Sequence, residues 1–241
     1  MALLYGIHAV QEALSAGRPL ERLLVARGRG GPRVRELLAA AQAAQTAVRF
    51  VGRDELDRLA GTPKHQGVVA LVGSKRYSDF EDMVAQAKPP ALFLMLDGVE
   101  DPRNLGSILR TAYCAGVTGV VLPERRAAGV TAATEKVSAG ASERIPVARV
   151  VNLGRALERL KEAGCWLVGL DERAEKAFTE LDFTGPLGLV LGGEGKGLHE
   201  HVRAKCDFLV SIPTAGAIRS LNVSVAAGIV LYEILRQRGS F

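Results

Sequence analysis

From Ala91 onward, apolar residues gather into short, almost unbroken runs separated by helix-length stretches that mix polar and apolar positions. The runs are LFLMLDGV (92–99), GVVL (119–122), PVARV (146–150), CWLVGL (165–170), LGLVLG (187–192) and DFLVSI (207–212). A strand with one wet face alternates polar and apolar residues, whereas a strand buried on both faces does not. These runs therefore predict an α/β fold, a parallel sheet covered by helices on both sides. A final helix is expected over about Ser220–Arg238, with small residues dense in its first half.

The first 72 residues have a different rhythm and read as a small α/β unit. A helix is expected from about Ile7 to Ala16, then the strand LERLLVA, the helix VRELLAAAQAA and the short strand AVRFV. A further helix begins with Asp54 as its N-cap, followed by ELDRLA, and VVALV closes the unit. The polar stretch GSKRYSDFEDMVAQAKPP (73–90) reads as a linker carrying one short helix, which Pro89-Pro90 would stop. The expected division is thus 1–72, a linker over 73–90, and 91–241, with no internal repeat.

Composition narrows the class. The chain has 241 residues, 48% of them apolar and 24% charged, which suits a soluble globular protein with ample core. The longest apolar run, Val225 to Tyr232, falls far short of the roughly 20 residues that span a bilayer, so no membrane partner is expected. The N-terminal stretch lacks a basic segment before its apolar residues and does not read as a signal peptide, which points to the cytoplasm. Cys114, Cys165 and Cys206 sit in apolar patterns and are widely spaced, so reduced core thiols are expected rather than a disulfide framework or a metal site.

The placement of charge is more informative than its total of +5. Residues 1–75 hold 11 Lys and Arg against 6 Asp and Glu, while residues 76–241 hold 20 of each. The whole excess therefore lies in the first third, where Arg27, Arg29, Arg33 and Arg35 crowd around GRGGP. Guanidinium groups pair bidentately with phosphate oxygens and glycines permit close approach, so the cluster suits a polyanion such as RNA. A solvated arginine-rich surface is the plain alternative.

In open α/β sheets ligands collect beyond the carboxyl ends of strands. Three exits carry unusual loops here: DGVEDPRNLGSILRTA, GGEGKGL and SIPTAGAIRSLNVSVA. Their polar residues are Asn104, Arg110, Glu194, Arg219, Ser220 and Asn222, and each also has an ordinary reading. Asn104 could cap a helix starting at Leu105, Ser220 could cap the last helix, and Arg110 could pair on the surface with Asp101 or Glu135. Glu194 could bond loop amides or pair with Lys196. The glycines of LVLGGEGKGL (189–198) fit no phosphate motif: Leu198 stands where G-x-G-x-x-G needs its third glycine, and Lys196 is followed by Gly197 rather than Ser or Thr. His199 and His201, two apart on an expected helix, would point apart and could not share a metal. No Cys or His spacing suggests zinc, and no G-x-S-x-G elbow is present.

Taken together, DPRNLGSILRTA, LGGEGKGL and IPTAGAIRSLNVSVAAGIVLYE resemble, in order, the three motifs of the SpoU branch of the SPOUT methyltransferases. YGIHAVQEAL and HQGVVA extend the likeness into the first unit. Within the family the likeness is to bacterial enzymes that methylate a guanosine 2′-hydroxyl in the peptidyl-transferase region of 23S rRNA. Thr214 departs from the methionine often found after Ile-Pro, without removing a reactive group.

The resemblance implies a deep trefoil knot holding S-adenosylmethionine, an exception to the rule against threaded chains. It further implies a first domain like the RNA-binding fold of ribosomal protein L30e. By resemblance the cofactor is held by Gly192, Gly193, Gly195, Ile212, Leu221 and Asn222, largely through main chain, with the glycines letting the backbone come close. Arg110, Asn104, Glu194, Ser220 and Asn222 would serve catalysis, Arg110 and the four early arginines would meet RNA, and no metal would be needed. The family assigns the position of Arg110 as general base, which conflicts with an arginine pKa of at least about 12. An RNA phosphate could take the proton while Arg110 holds it, or the cation could stabilise the emerging alkoxide. Family members are dimers, and Val225, Ile229 and Tyr232 give the last helix a matching apolar face.

Three rivals are weighed against this reading. A non-catalytic RNA-binding protein would have no reason to keep Arg110, Asn104, Glu194 and Asn222, and a nicotinamide oxidoreductase would need the dinucleotide glycine spacing. A tRNA or another rRNA site remains the alternative target; tRNA-directed relatives generally look different in the first domain.

Overall fold

A computed structural model of the chain describes residues 2–18, 20–72, 77–195, 197–216 and 220–239. The chain divides into two compact units. The first comprises Met1–Arg76 together with Val130–Arg144, and the second comprises Tyr77–Gly129 together with Ile145–Phe241.

In the first unit, β1 (Ala2–Tyr5), β2 (Leu20–Ala26), β3 (Val48–Val51) and β4 (Val68–Val72) form a sheet in the order β1-β4-β2-β3. Strand β4 is antiparallel to both its neighbours, and β2 is parallel to β3. The helices are α1 (Ile7–Ser15), α2 (Pro32–Ala43) and α3 (Arg53–Ala60). Val10, Ala13, Leu23, Val25, Leu37, Ala41, Val68 and Ala70 interlock as the core on one side of the sheet. Asp54 is not the N-cap of α3: Gly52 takes that position, and Asp54 and Glu55 occupy the first turn, where carboxylates favour the helix dipole.

Two short helices, α6 (Ala132–Ser138) and α7 (Ala141–Arg144), complete this unit although they lie far along the chain. Their inward face is polar, with Thr134, Glu135, Ser138 and Ser142 all buried. Arg18 reaches both Glu135 and Glu143, and Lys136 stands 4.4 Å from the centre of the Tyr5 ring. Burial is the largest influence on Glu135 and raises its carboxyl above the usual range, against the pull of Arg18.

The expected linker over 73–90 is largely part of the second unit. Asp79 caps α4 (Phe80–Ala85), accepting from Asp82 N at 3.0 Å, and Phe80, Met83 and Val84 pack into that unit's core. The six strands of this core are β5 (Leu92–Asp97), β6 (Gly119–Pro123), β7 (Val147–Val150), β8 (Trp166–Leu170), β9 (Leu187–Gly192) and β10 (Phe208–Val210). All are parallel, in the order β10-β8-β9-β5-β6-β7. Every residue of β5 is buried, and each large apolar side chain buried there contributes about 1.5–3 kcal/mol. From β5 the chain moves outward one way through β6 and β7, then crosses to β8 on the other side, returns inward to β9 beside β5, and ends on the outer strand β10. The β5–β9 pair is therefore where the winding reverses, the position at which an open sheet leaves a crevice beyond its carboxyl ends.

Three helices of this unit bear on that crevice or brace the sheet: α5 (Pro102–Cys114), α8 (Leu153–Glu162) and α10 (Val223–Gln237). Asp101 caps α5 by accepting from Arg103 N at 2.8 Å, so Asn104 is not a cap. Asn222 caps α10 by accepting from Ser224 N at 2.9 Å, so Ser220 is not one either. Cys165 is a buried thiol as expected, but Cys114 is exposed at the end of α5.

Candidate functional site

The glycine-rich stretch after β9 forms a small closed loop. Gly197 N donates to Gly193 O at 3.3 Å across its neck, and Gly193 N donates to Asp97 O at 2.7 Å. A Cβ on Gly192 would lie 2.1 Å from the carbonyl carbon of Gly197, and one on Gly193 would lie 1.8 Å from the carbonyl oxygen of Gly98. No side chain fits at either position. Gly195 differs: open space surrounds it, and its φ of +82° is what favours glycine. The spacing that matched no phosphate motif is thus first a requirement of the loop's own packing.

Asp97, at the end of β5, fastens both ends of this loop. Besides the bond from Gly193 to its backbone, its carboxylate accepts from His199 N at 2.8 Å and faces His199 Nδ1 at 2.9 Å. The carboxylate is buried, and a buried charge needs such donors. Sequence reasoning overlooked this pair because Asp97 reads as the end of a buried strand. His199 also precedes α9 (Glu200–Arg203) rather than lying within it, and its ring stands only 5.8 Å from that of His201. The expected divergence of the two histidines is not what the fold gives.

Glu194 projects from the loop and accepts a hydrogen bond from Asn104 Nδ2. Asn222 Nδ2 in turn donates to Asn104 Oδ1 at 3.1 Å, while Asn222 Oδ1 accepts from Ser224 N. The two ends dictate the middle. The amide donors of α10 require the Asn222 oxygen, which turns its nitrogen to Asn104, which presents its own nitrogen to the carboxylate. Residues 90 and 118 positions apart are thereby locked across three loops.

Beside this relay lies a cleft of about 530 Å³. Gly192, Gly193, Gly195, Ile212, Leu221 and Asn222 all line it, and Glu194 and Ser220 stand at its wall. An exit the sequence did not single out contributes as well, with Leu170, Asp171, Glu172 and Arg173 after β8, while the exit after β5 supplies none of the described lining residues. That exit follows the same strand-end rule, but LDERAEK has no glycines to single it out. Arg173 holds Asp171 with its backbone N, Nε and Nη2 at 2.9–3.0 Å, and Arg203 Nε adds a bond at 2.7 Å. These bonds, the side-chain pair with Arg173 foremost, hold the Asp171 carboxyl well below the usual range.

Arg110 does not line the cleft. It is exposed on α5, makes no hydrogen bond or ion pair to another described residue, and is paired with neither Asp101 nor Glu135. Lys196 and Arg219 lie outside the described residues. The four early arginines are all exposed on the first unit. Arg29 and Arg33 line a second cleft there, of about 390 Å³, and Arg27 and Arg35 do not.

Residues 91–232 match the SpoU rRNA Methylase family. The chain belongs to that family. Residues 3–78 match a second pattern, described as RNA 2′-O ribose methyltransferase substrate binding. YacO of Bacillus subtilis, named for the TrmH family of tRNA/rRNA methyltransferases, is 44% identical over 97% of this chain and 94% of its own length. The SpoU methyltransferase AviRb of Streptomyces viridochromogenes, solved with S-adenosylmethionine, superposes with a TM-score of 0.86 at 31% identity, over 99% of this chain and 91% of that one. An S-adenosylmethionine-bound rRNA methyltransferase from Sinorhizobium meliloti gives 0.85 at 28% identity, over 98% and 87%.

This SpoU protein is accordingly an S-adenosylmethionine-dependent methyltransferase. Its cleft fits the cofactor. The volume lies in the roughly 300–1,000 Å³ range of small-molecule sites. Leu170, Leu191, Ile212, Leu221, Val223 and Ala226 offer apolar walls, and Gly192, Gly193, Gly195 and Gly197 bring backbone without side chains to its lining. No helix among the described residues is long and apolar enough to cross a membrane.

Proposed function

We propose that this enzyme methylates the 2′-hydroxyl of a guanosine in the peptidyl-transferase region of 23S rRNA. The observation that carries a methyl transfer at the cleft is the Glu194–Asn104–Asn222 relay, whose two ends, Glu194 and Asn222, line the cleft and set polar groups where a target ribose would enter. RNA as substrate is supported by the match of residues 3–78 to a substrate-binding pattern and by the charge excess in the same stretch. Ribosomal rather than transfer RNA is favoured by likeness to the Sinorhizobium meliloti rRNA enzyme over nearly the whole chain, first unit included.

In this reading Gly192, Gly193, Gly195, Ile212, Leu221 and Asn222 hold the cofactor, and the loops after β5, β9 and β10 are threaded as a trefoil knot. S-adenosylmethionine, when bound, supplies an electrophilic methyl group. The chain's own residues must hold the ribose hydroxyl in line and deal with its proton. A guanidinium offers donors and no acceptor, so Arg110 holds a phosphate or the developing alkoxide rather than removing the proton. Asn104 and Glu194 fix the loops around the target, with Ser220 and Asn222 at the opening.

The active form is a homodimer. Val225, Ile229 and Tyr232 on α10 and Tyr113 on α5 are exposed large side chains on two helices that pack together. Arg110 lies three residues from Tyr113, so a second copy covering this face would draw Arg110 into a site that one chain leaves open. Mapping ribose methylation across rRNA and tRNA in cells lacking the protein tests the assignment. Loss of one 2′-O-methylguanosine in the peptidyl-transferase region is expected; loss from a tRNA instead would move the target.

A further inference from the structure

The cleft of the first unit is lined by His8, Arg29, Arg33 and Gln66, with Gly30 and Gly31 at its edge and Ile7, Pro32 and Val34 completing it. Among the described residues no carboxylate lines it, in contrast with the cofactor cleft, where Asp171, Glu172 and Glu194 are present. Neither Arg29 nor Arg33 is ion-paired to another described residue; Arg33 Nη1 stands 3.4 Å from His8 Nε2. The cleft also receives the N-termini of α1 and α2. Neither helix has a side-chain cap from its own N-cap residue or an acidic residue in its first turn, so no carboxylate of either helix offsets the positive end of its dipole there.

The cleft is built rather than incidental. His65 is fully buried; its Nδ1 accepts from Gly67 N at 2.9 Å and its Nε2 donates to Asp57 at 2.8 Å. This fixes the turn that carries Gln66 at a φ of +57°. Gln66 Oε1 then accepts from Ile7 N at 3.1 Å, at the start of α1. The stem of Arg29 lies across Gly67, where an added Cβ would stand 3.0 Å from Arg29 Cγ. The guanidinium of Arg29 is thus seated by the turn beneath it, while Arg27 and Arg35, equally charged, stand outside.

We infer that this cleft is a phosphate-holding subsite for the RNA backbone, in which Arg29 and Arg33 supply the charge and Arg27 and Arg35 do not take part. The inference rests on the reading of RNA as substrate and adds where the strand is gripped. Because each phosphate contact releases counterions, the grip has a measurable salt signature.

The test is fluorescence anisotropy of the full-length protein with a labelled 23S rRNA fragment across a salt series. It compares R29Q/R33Q with R27Q/R35Q, two variants that lose the same charge. The first should weaken binding at least tenfold and reduce the salt slope by about 2, and the second should stay within about threefold. Unchanged circular dichroism and thermal unfolding of the full-length protein check that both variants are folded. Equal losses in the two variants would show a diffuse field and overturn the subsite, as would an unaffected R29Q/R33Q. Inorganic phosphate should compete only weakly; if it fills the cleft tightly and RNA does not displace it, the site serves a free anion and the inference fails. Should RNA bind through Arg29 and Arg33 but receive no methyl group, the proposed activity falls and the subsite stands.

Discussion

Arg110 is the residue on which the chemistry turns. A guanidinium does not release its proton near neutral pH, so its contribution must be electrostatic. R110A should lower the methylation rate by roughly a hundredfold or more while the dissociation constant for S-adenosylmethionine changes less than about twofold, as read by turnover assays and calorimetry. Near-normal turnover would remove Arg110 from the site. Asp97 acts differently, through the loop. Replacing it by asparagine sets an NH₂ group against one of two His199 donors, and bonds to a buried charge are worth about 1.5–3 kcal/mol. D97N should therefore weaken cofactor affinity roughly tenfold to a hundredfold with the RNA affinity of the first unit intact; an unchanged cofactor affinity would show that the loop holds its shape unaided.

Asp171 brings a pH dependence with a definite sign. Its carboxyl is held below the usual range chiefly by Arg173, so it is more acidic folded than unfolded. Its contribution is present above the unfolded value near pH 4 and is lost as pH falls through the folded value. Thermal unfolding of the wild type should drop more steeply on acidification below pH 4 than that of D171N, and parallel curves would contradict the assignment.

Among elements, the glycine loop makes a graded prediction. Gly193 sits against the backbone of Gly98 and has nowhere to place a methyl group, whereas Gly195 has space and only the penalty of a left-handed conformation, about 1 kcal/mol. G193A should abolish cofactor binding in calorimetry, and G195A should weaken it modestly. The reverse order would mean that the loop is not closed as described.

The strands were legible at this scale because the stretches buried on both faces must be apolar, even where a strand such as β2 begins with exposed Glu21 and Arg22. LERLLVA, VVALV and LGLVLG correspond residue for residue to β2, β4 and β9. What escaped notice has physical reasons as well. The four residues of β1 run directly into α1 with no break in apolar content. The buried face of α6 and α7 is polar, so TAATEKVSAGASER shows no apolar period to detect. In the site, Asn104, Glu194 and Asn222 stood out as polar residues after strands. Their mutual bonds, and the role of Asp97 beneath the loop, depend on which strands become neighbours, which no local pattern contains.

At the scale of the whole molecule, residues 130–144 join the first unit although they fall between β6 and β7. Cutting the chain near residue 72 would expose the buried side chains of Glu135, Ser138 and Ser142, so point variants isolate the role of the first unit more cleanly. Arg18 joins this late segment to the first strands through Glu135 and Glu143. R18A would leave two buried carboxylates without their common partner, a change that typically costs about 3–5 kcal/mol, and should lower the melting temperature by several degrees. An unaltered melting curve would mean that the segment is held by other contacts.

The central claim is that loops from widely separated strands form one cleft from which a methyl group reaches a ribose hydroxyl of 23S rRNA. Its most direct measurement is position-by-position mapping of ribose methylation on unmodified 23S rRNA incubated with the purified protein and S-adenosylmethionine, with N104A in parallel. The account predicts a single 2′-O-methylguanosine in the peptidyl-transferase region with the wild type and a severe loss with N104A. A methyl group on a base, or equal methylation by N104A, would contradict it.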